Sequence, residues 1–170
     1  MIDTIPVWIH IVAAAAWVGP QFFMFLATVP ALRVIDDPEL RRRVLRVITT
    51  RFGWLAWAAM VVLVLSGLSN LFDHEEESAI SVLNFDWRYS WVFFAKMGLV
   101  ALTIALTALH SFVVGPRQMR LHEEGAVDSP QAARLRRASI TLSALNLLAS
   151  VAVLYAAALL ANDRFSIQPV

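Results

Sequence analysis

Residues 5 to 32 read IPVWIHIVAAAAWVGPQFFMFLATVPAL and contain no Asp, Glu, Lys or Arg. Crossing the hydrocarbon core of a bilayer takes about 20 apolar residues at 1.5 Å rise each, so this run alone is long enough for a membrane span. Working outward from it, Phe52 to Phe72 and Ala138 to Asn162 are equally free of charge, and Tyr89 to Gly115 carries one charged residue, Lys96. The chain as a whole is 170 residues, 59% hydrophobic and 16% charged, where a soluble domain has about 25% charged. Its mean hydropathy is +0.65. In lipid every backbone N–H and C=O must be paired within its own segment, which makes each run a helix. The expected fold is therefore all-α: a polytopic membrane protein of four transmembrane helices in an antiparallel bundle, with spans at about 5–29, 52–72, 89–115 and 138–161. Short loops and the lack of a Gly/Ser-rich linker imply a single domain over residues 1–170.

The basic residues set the direction of insertion. Arg33, Arg41, Arg42, Arg43, Arg46 and Arg51 follow the first span, and Arg117, Arg120, Arg134, Arg136 and Arg137 follow the third. Between spans two and three lie Asp73, Glu75, Glu76, Glu77 and Asp86 with Arg88. By the positive-inside rule both arginine-rich loops face the cytoplasm and both termini lie outside, as expected of a multi-pass protein of the plasma (inner) membrane. Trp8, Trp87 and Trp91 then mark the outer interface and Trp54 the inner one. Residues 38–49 place Leu40, Val44 and Val47 on one side among arginines, the pattern of a short helix lying on the cytoplasmic surface. No basic segment or small-residue cleavage site precedes the first span, so it reads as a retained helix.

Composition narrows the chemistry. Without cysteine there is no disulfide, thiolate metal site or iron–sulfur cluster. A formal net charge of +1 gives no electrostatic footprint for nucleic acid. Zinc motifs, Gly-rich phosphate loops and nucleophile elbows are missing, which removes support for hydrolase and nucleotide-driven pump readings.

Polar residues line up inside the spans. Lys96, Thr103, Thr107 and His110 share one sector of the third helix, and Ser139, Ser143, Asn146 and Ser150 share one of the fourth. His10, Trp17 and Gln21 share a face of the first, which Gly19-Pro20 is expected to kink. Serines and threonines of this kind join membrane helices through hydrogen bonds, and small pairs such as Ala101 with Ala105 and Ala152 with Ala156 serve close packing. Lys96 is costlier, about 2.5 to 3.5 kcal/mol on insertion scales at a span centre, so it marks function unless it snorkels to the interface. Spans one and three run in the same direction, which puts His10 and Lys96 each about 6 to 9 Å below the outer surface and His110 about 30 Å along its helix. Two levels result: an outer one with His10 and Lys96, and an inner one with His110, Arg51 and Asn146. His74 and His122 stand in the loops on the matching sides. His10 is a good single metal ligand, and the run Asp73-His74-Glu75-Glu76-Glu77 is able to gather cations outside. On paper His10 also suits a haem axial position, with Lys96 or Arg88 near the propionates.

The residues His10, Trp17 and Gly19, then Arg51-Phe52 opening span two and Ser66-Gly67 closing it, resemble the copper-resistance protein D (CopD) family membrane domain. The likeness continues through Trp91-Val92-Phe93-Phe94-Ala95-Lys96, His110, and Leu135-Arg136-Arg137 ahead of span four. It implies copper transport or homeostasis through a metal site near the outer face, with His10 as a ligand and a copper ion as the bound species; by residue type His74 and His110 are further metal candidates, although His110, at the inner level, lies too far from His10 to share one ion with it. A more distant likeness joins the chain to haem-type (HemJ-like) protoporphyrinogen oxidases. That one implies haem b at His10 with Lys96 and Arg88 nearby, and an enzyme passing electrons to a membrane redox partner. Supporting polar positions in either case are Arg51, Gln21, Thr103, Thr107 and Asn146. A third reading is a structural or assembly subunit, alone or as a homo-oligomer in the lipid bilayer.

Overall fold

The computed structural model describes the backbone of residues 4–77, 82–126, 129–166 and 168–170, and side chains within these except 73–77, 122–123 and 163. Helices account for nearly all of it: α1 (Thr4–Phe23), a π-helical turn (Met24–Thr28), α2 (Val29–Arg33), α3 (Pro38–Glu77), α4 (Arg88–Leu109), a second π-helical turn (His110–Val114), α5 (Gly115–Glu123), α6 (Pro130–Leu160) and α7 (Asp163–Ser166). Four continuous stretches are long and apolar enough to cross a membrane: Thr4–Arg33, Pro38–Phe72, Arg88–Leu121 and Pro130–Leu160. The expected all-helical, four-span architecture is what the chain forms.

The helix starts follow local chemistry. At α3, Asp37 Oδ1 accepts from the backbone N–H of Glu39 at 2.8 Å and of Leu40 at 3.3 Å, and Pro38, which has no N–H to satisfy, takes the first position. At α6, Ser129 Oγ accepts from Ala132 N–H at 3.1 Å with Pro130 next in line. After α5, Gly125 adopts φ +69°, and Ala126 N–H returns to Leu121 O, which ends the helix.

One expectation changes. The surface helix at 38–49 and the span at 52–72 are one uninterrupted helix, because nothing between Pro38 and Glu77 breaks the backbone ladder. Pro20 stands inside α1, which continues past it to Phe23. The ladder widens from Met24, four residues after Pro20, with Val29 N–H reaching back to Met24 O, and the same widening at 110–114 has Gly115 N–H bonding His110 O. Each wide turn stands two residues before a proline, Pro30 and Pro116, whose ring would press on the carbonyl four residues back in an ordinary helix.

The chain's internal contacts group into two compact units, Met1–Ala79 and Ile80–Val170. In the first, α1 packs along α3. Ala13, Trp17 and Gln21 are buried at four-residue spacing on α1, and Ala56, Ala59, Met60 and Ser66 on α3. In the second, α4 packs along α6, where Thr103 and Ser150 are fully buried. Thr103 Oγ1 donates to Val100 O at 2.7 Å and Ser150 Oγ to Asn146 O at 2.7 Å, each within its own helix. Ala156 is buried as a packing residue should be, but Ala101 and Ala105 are exposed within the chain, so that expected contact is not formed there. The C-terminal segment returns to the start of α4 through Arg88 N–H to Gln168 O and Val170 N–H to Asp86 O, both 3.0 Å.

Because Ser150 is fully buried on α6, Ser150→Ala is expected to lose about 1 kcal/mol, the worth of a hydroxyl hydrogen bond, and Ser150→Leu to lose about 1 to 3 kcal/mol by overpacking. Thermal unfolding of the purified chain in detergent checks both; equal losses in the two variants would contradict the packing described.

Candidate functional site

The best-built polar site lies within the first unit. His10 sits two turns into α1 and is half-buried. Its Nδ1 is 2.9 Å from Ser66 Oγ on α3, and Ser66 Oγ is 2.6 Å from Val62 O one turn back. A carbonyl oxygen carries no proton, so the short Ser66–Val62 contact requires the hydroxyl to donate there. Ser66 has one proton only. Toward His10 it therefore accepts, Nδ1 carries the N–H, and Nε2 is left with the lone pair. Ser66 thus favours the tautomer with the proton on Nδ1.

Gly67 leaves room for the approach. A Cβ at this position would stand 3.2 Å from His10 Cε1 and 3.6 Å from Nδ1. A glycine inside a helix costs about 1 kcal/mol relative to alanine, and here it creates the seat for the ring. Sequence reading singled out the Ser66-Gly67 pair but gave it no role at the site. The sequence held a signal of depth only: by the expected bounds Ser66 lies about as far from the end of its span at 72 as His10 does from the start of its own at 5.

Other expected residues occupy separate places. Gln21 is buried, and its Nε2 donates to Trp17 O at 3.1 Å, bracing the helix beside Pro20. Arg51 is exposed on α3. In the second unit Lys96 Nζ lies 5.4 Å from the centre of the Phe93 ring, three residues earlier on α4. The ammonium thus points back toward the start of its span, the direction that snorkelling takes, while the ring face stabilises its charge. Arg88 at the head of α4 stacks over Phe165 of α7 at 5.4 Å and joins the C-terminal segment to the span.

His110 opens the second wide turn, and its N–H bonds Leu106 O and Thr107 O. His110 Nδ1 and Thr107 Oγ1 are both shielded from solvent without a hydrogen-bond partner among the described residues. Asn146 is half-buried on α6, which packs on α4, and Thr103 is closed off entirely. The side chains of His74 and His122 lie outside the described residues, as does the acidic run beside His74. Among the described residues no group of three or more His, Asp or Glu comes together as a metal cage. A groove of about 300 Å³ in the first unit is lined by Trp8 and by aliphatic residues such as Val12, Leu55 and Val62, and His10 is not part of its lining.

Comparison with known proteins adds one finding. The family described as copper resistance protein D (CopD) matches residues 46–160. The match takes in Ser66, Gly67, Lys96 and His110, and it leaves α1 with His10 outside. No curated protein and no solved structure matches the chain. Spanning more than half of the sequence and three of its four membrane helices, the match makes this chain a member of the copper resistance protein D family.

Proposed function

We propose that this protein moves copper at the cell membrane, or sets its level there, by way of a single-imidazole site at His10 near the outer ends of α1 and α3. What supports the reading is the Ser66 hydrogen bond, which draws the His10 proton to Nδ1 and directs the lone pair of the imidazole to Nε2. Imidazole nitrogen suits copper, and the chain has no thiolate to compete with it. A cage of several ligands would hold the ion; one ligand lets it arrive and depart, which passage across a membrane demands. In this reading Asp73, His74, Glu75, Glu76 and Glu77 concentrate cations outside, Lys96 adjusts the charge at the outer level, and both termini face outward. His110 with Thr107 stands as a second stage deeper in its span.

The tautomer is directly observable. Nitrogen-15 NMR of the detergent-solubilised chain is expected to show the His10 proton on Nδ1, and Ser66→Ala to give a mixture of tautomers at a stability loss of about 1 kcal/mol. A proton found on Nε2 in the wild type would refute the assignment.

Copper titration against a competing chelator tests the function. The wild type should bind about one copper per chain, His10→Ala should lose it, and Ser66→Ala should weaken it by about 10- to 100-fold, the usual cost of removing a partner behind a metal ligand. Unchanged binding in His10→Ala overturns the copper reading. So does a Soret band in the purified protein that His10→Ala removes, since that identifies haem at the same imidazole.

A further inference from the structure

A second groove in the first unit, about 260 Å³ and open to the outside, lies at the arginine-rich end. Phe23, Ala27, Ala31 and Leu32 line it from the end of span one, and Val44 and Ile48 from α3, with Ile35 where the chain crosses between them. From Phe23 to Leu32 the groove follows its helix for about 13 Å, within the depth of one leaflet.

The charges beside it are not equivalent. Arg42 and Arg43 both turn to Glu39 and form ion pairs with it. Arg41 takes the opposite course. Its Nε donates to Ile35 O at 3.0 Å and its Nη2 bonds the same oxygen, which puts the guanidinium against a groove-lining residue. Among the described residues no carboxylate forms an ion pair with Arg41, and the nearby Asp37 Oδ1 is engaged by the backbone at the start of α3. A guanidinium has five N–H donors, and two are used on Ile35 O. Three remain in a planar fork of the kind that fits phosphate oxygens.

We infer that this groove binds an anionic phospholipid, one acyl chain lying along the Phe23–Leu32 stretch and the headgroup phosphate meeting Arg41. The apolar lining selects a hydrocarbon chain, the unpaired cation at its end selects a negative headgroup, and the two stand in the order in which a leaflet presents them. A basic site of this type on the positively charged side of a membrane protein is where anionic lipid is drawn.

Native mass spectrometry of the full chain in detergent, with added phosphatidylglycerol or phosphatidylcholine, tests the inference. The wild type should retain phosphatidylglycerol in about fivefold preference, the worth of one basic residue near a membrane surface. Arg41→Gln should bring that ratio close to one, whereas Arg42→Gln, whose side chain is engaged by Glu39, should leave it in place. Ala27→Phe fills the groove and should reduce retention of both lipids. The inference fails if Arg41→Gln keeps the preference, if Arg42→Gln abolishes it to the same degree, or if Ala27→Phe changes nothing. It also fails if glycerol 3-phosphate competes as well as the intact lipid, since that shows no part for the acyl chain.

Discussion

Lipid offers a backbone no water, and every departure from a plain helix in this chain answers to that. A polar group in a span must find its partner within reach or bear the cost of having none. Pro30 and Pro116 cannot donate, and the turns ahead of them widen so that Val29 and Gly115 reach carbonyls five residues back. Hydroxyls obey the same rule. Ser66, Thr103 and Ser150 all donate to a carbonyl three or four residues earlier on their own helix. A hydroxyl so engaged has only acceptor capacity left, and at Ser66 that capacity faces His10. The state of the imidazole is thus a consequence of how a membrane helix satisfies its serines.

The same constraint sorts the charged and basic residues. His10 is held by a bond from a neighbouring helix and a glycine that clears its path. Lys96 is held by an aromatic face on its own helix, one turn nearer the end of the span. A cation–π contact is worth up to about 2 kcal/mol when desolvated, comparable with the ~3 kcal/mol that insertion of a lysine costs. Lys96 can therefore remain in its span without a ligand to justify it, while His10 has a geometry that packing alone does not demand. That difference is why the copper reading rests on the imidazole and gives the amine a lesser part.

The four spans were legible because uncharged runs of this length have few alternatives, and the helix starts because Asp37-Pro38 and Ser129-Pro130 are local signals. The continuity of α3 was not. Arginines at 41 to 43 and 46 give residues 38–49 the look of a surface helix, yet periodicity says nothing about whether such a helix ends before the next begins. The wide turns escaped for a related reason: a fixed 100° step carries no information about an inserted residue, and the prolines that call for it lie further on. Of the site, His10 was visible as a lone imidazole in a span. Its bond to Ser66 was not, since that depends on the register of two helices separated by more than fifty residues.

The family match begins at residue 46, and so it covers the seat but not the ring that occupies it. Within α3 alone the Ser66-Gly67 pair makes little sense. The glycine weakens a long membrane helix, and the serine places a polar atom on a face that packs against another helix. Both choices are accounted for once an imidazole approaches to 3.2 Å from where a Cβ would stand and donates to the serine. The cost to α3 is offset by what α1 brings, so the two helices of the first unit form one device. Changing either side leaves a polar atom without its partner in a medium that supplies no substitute.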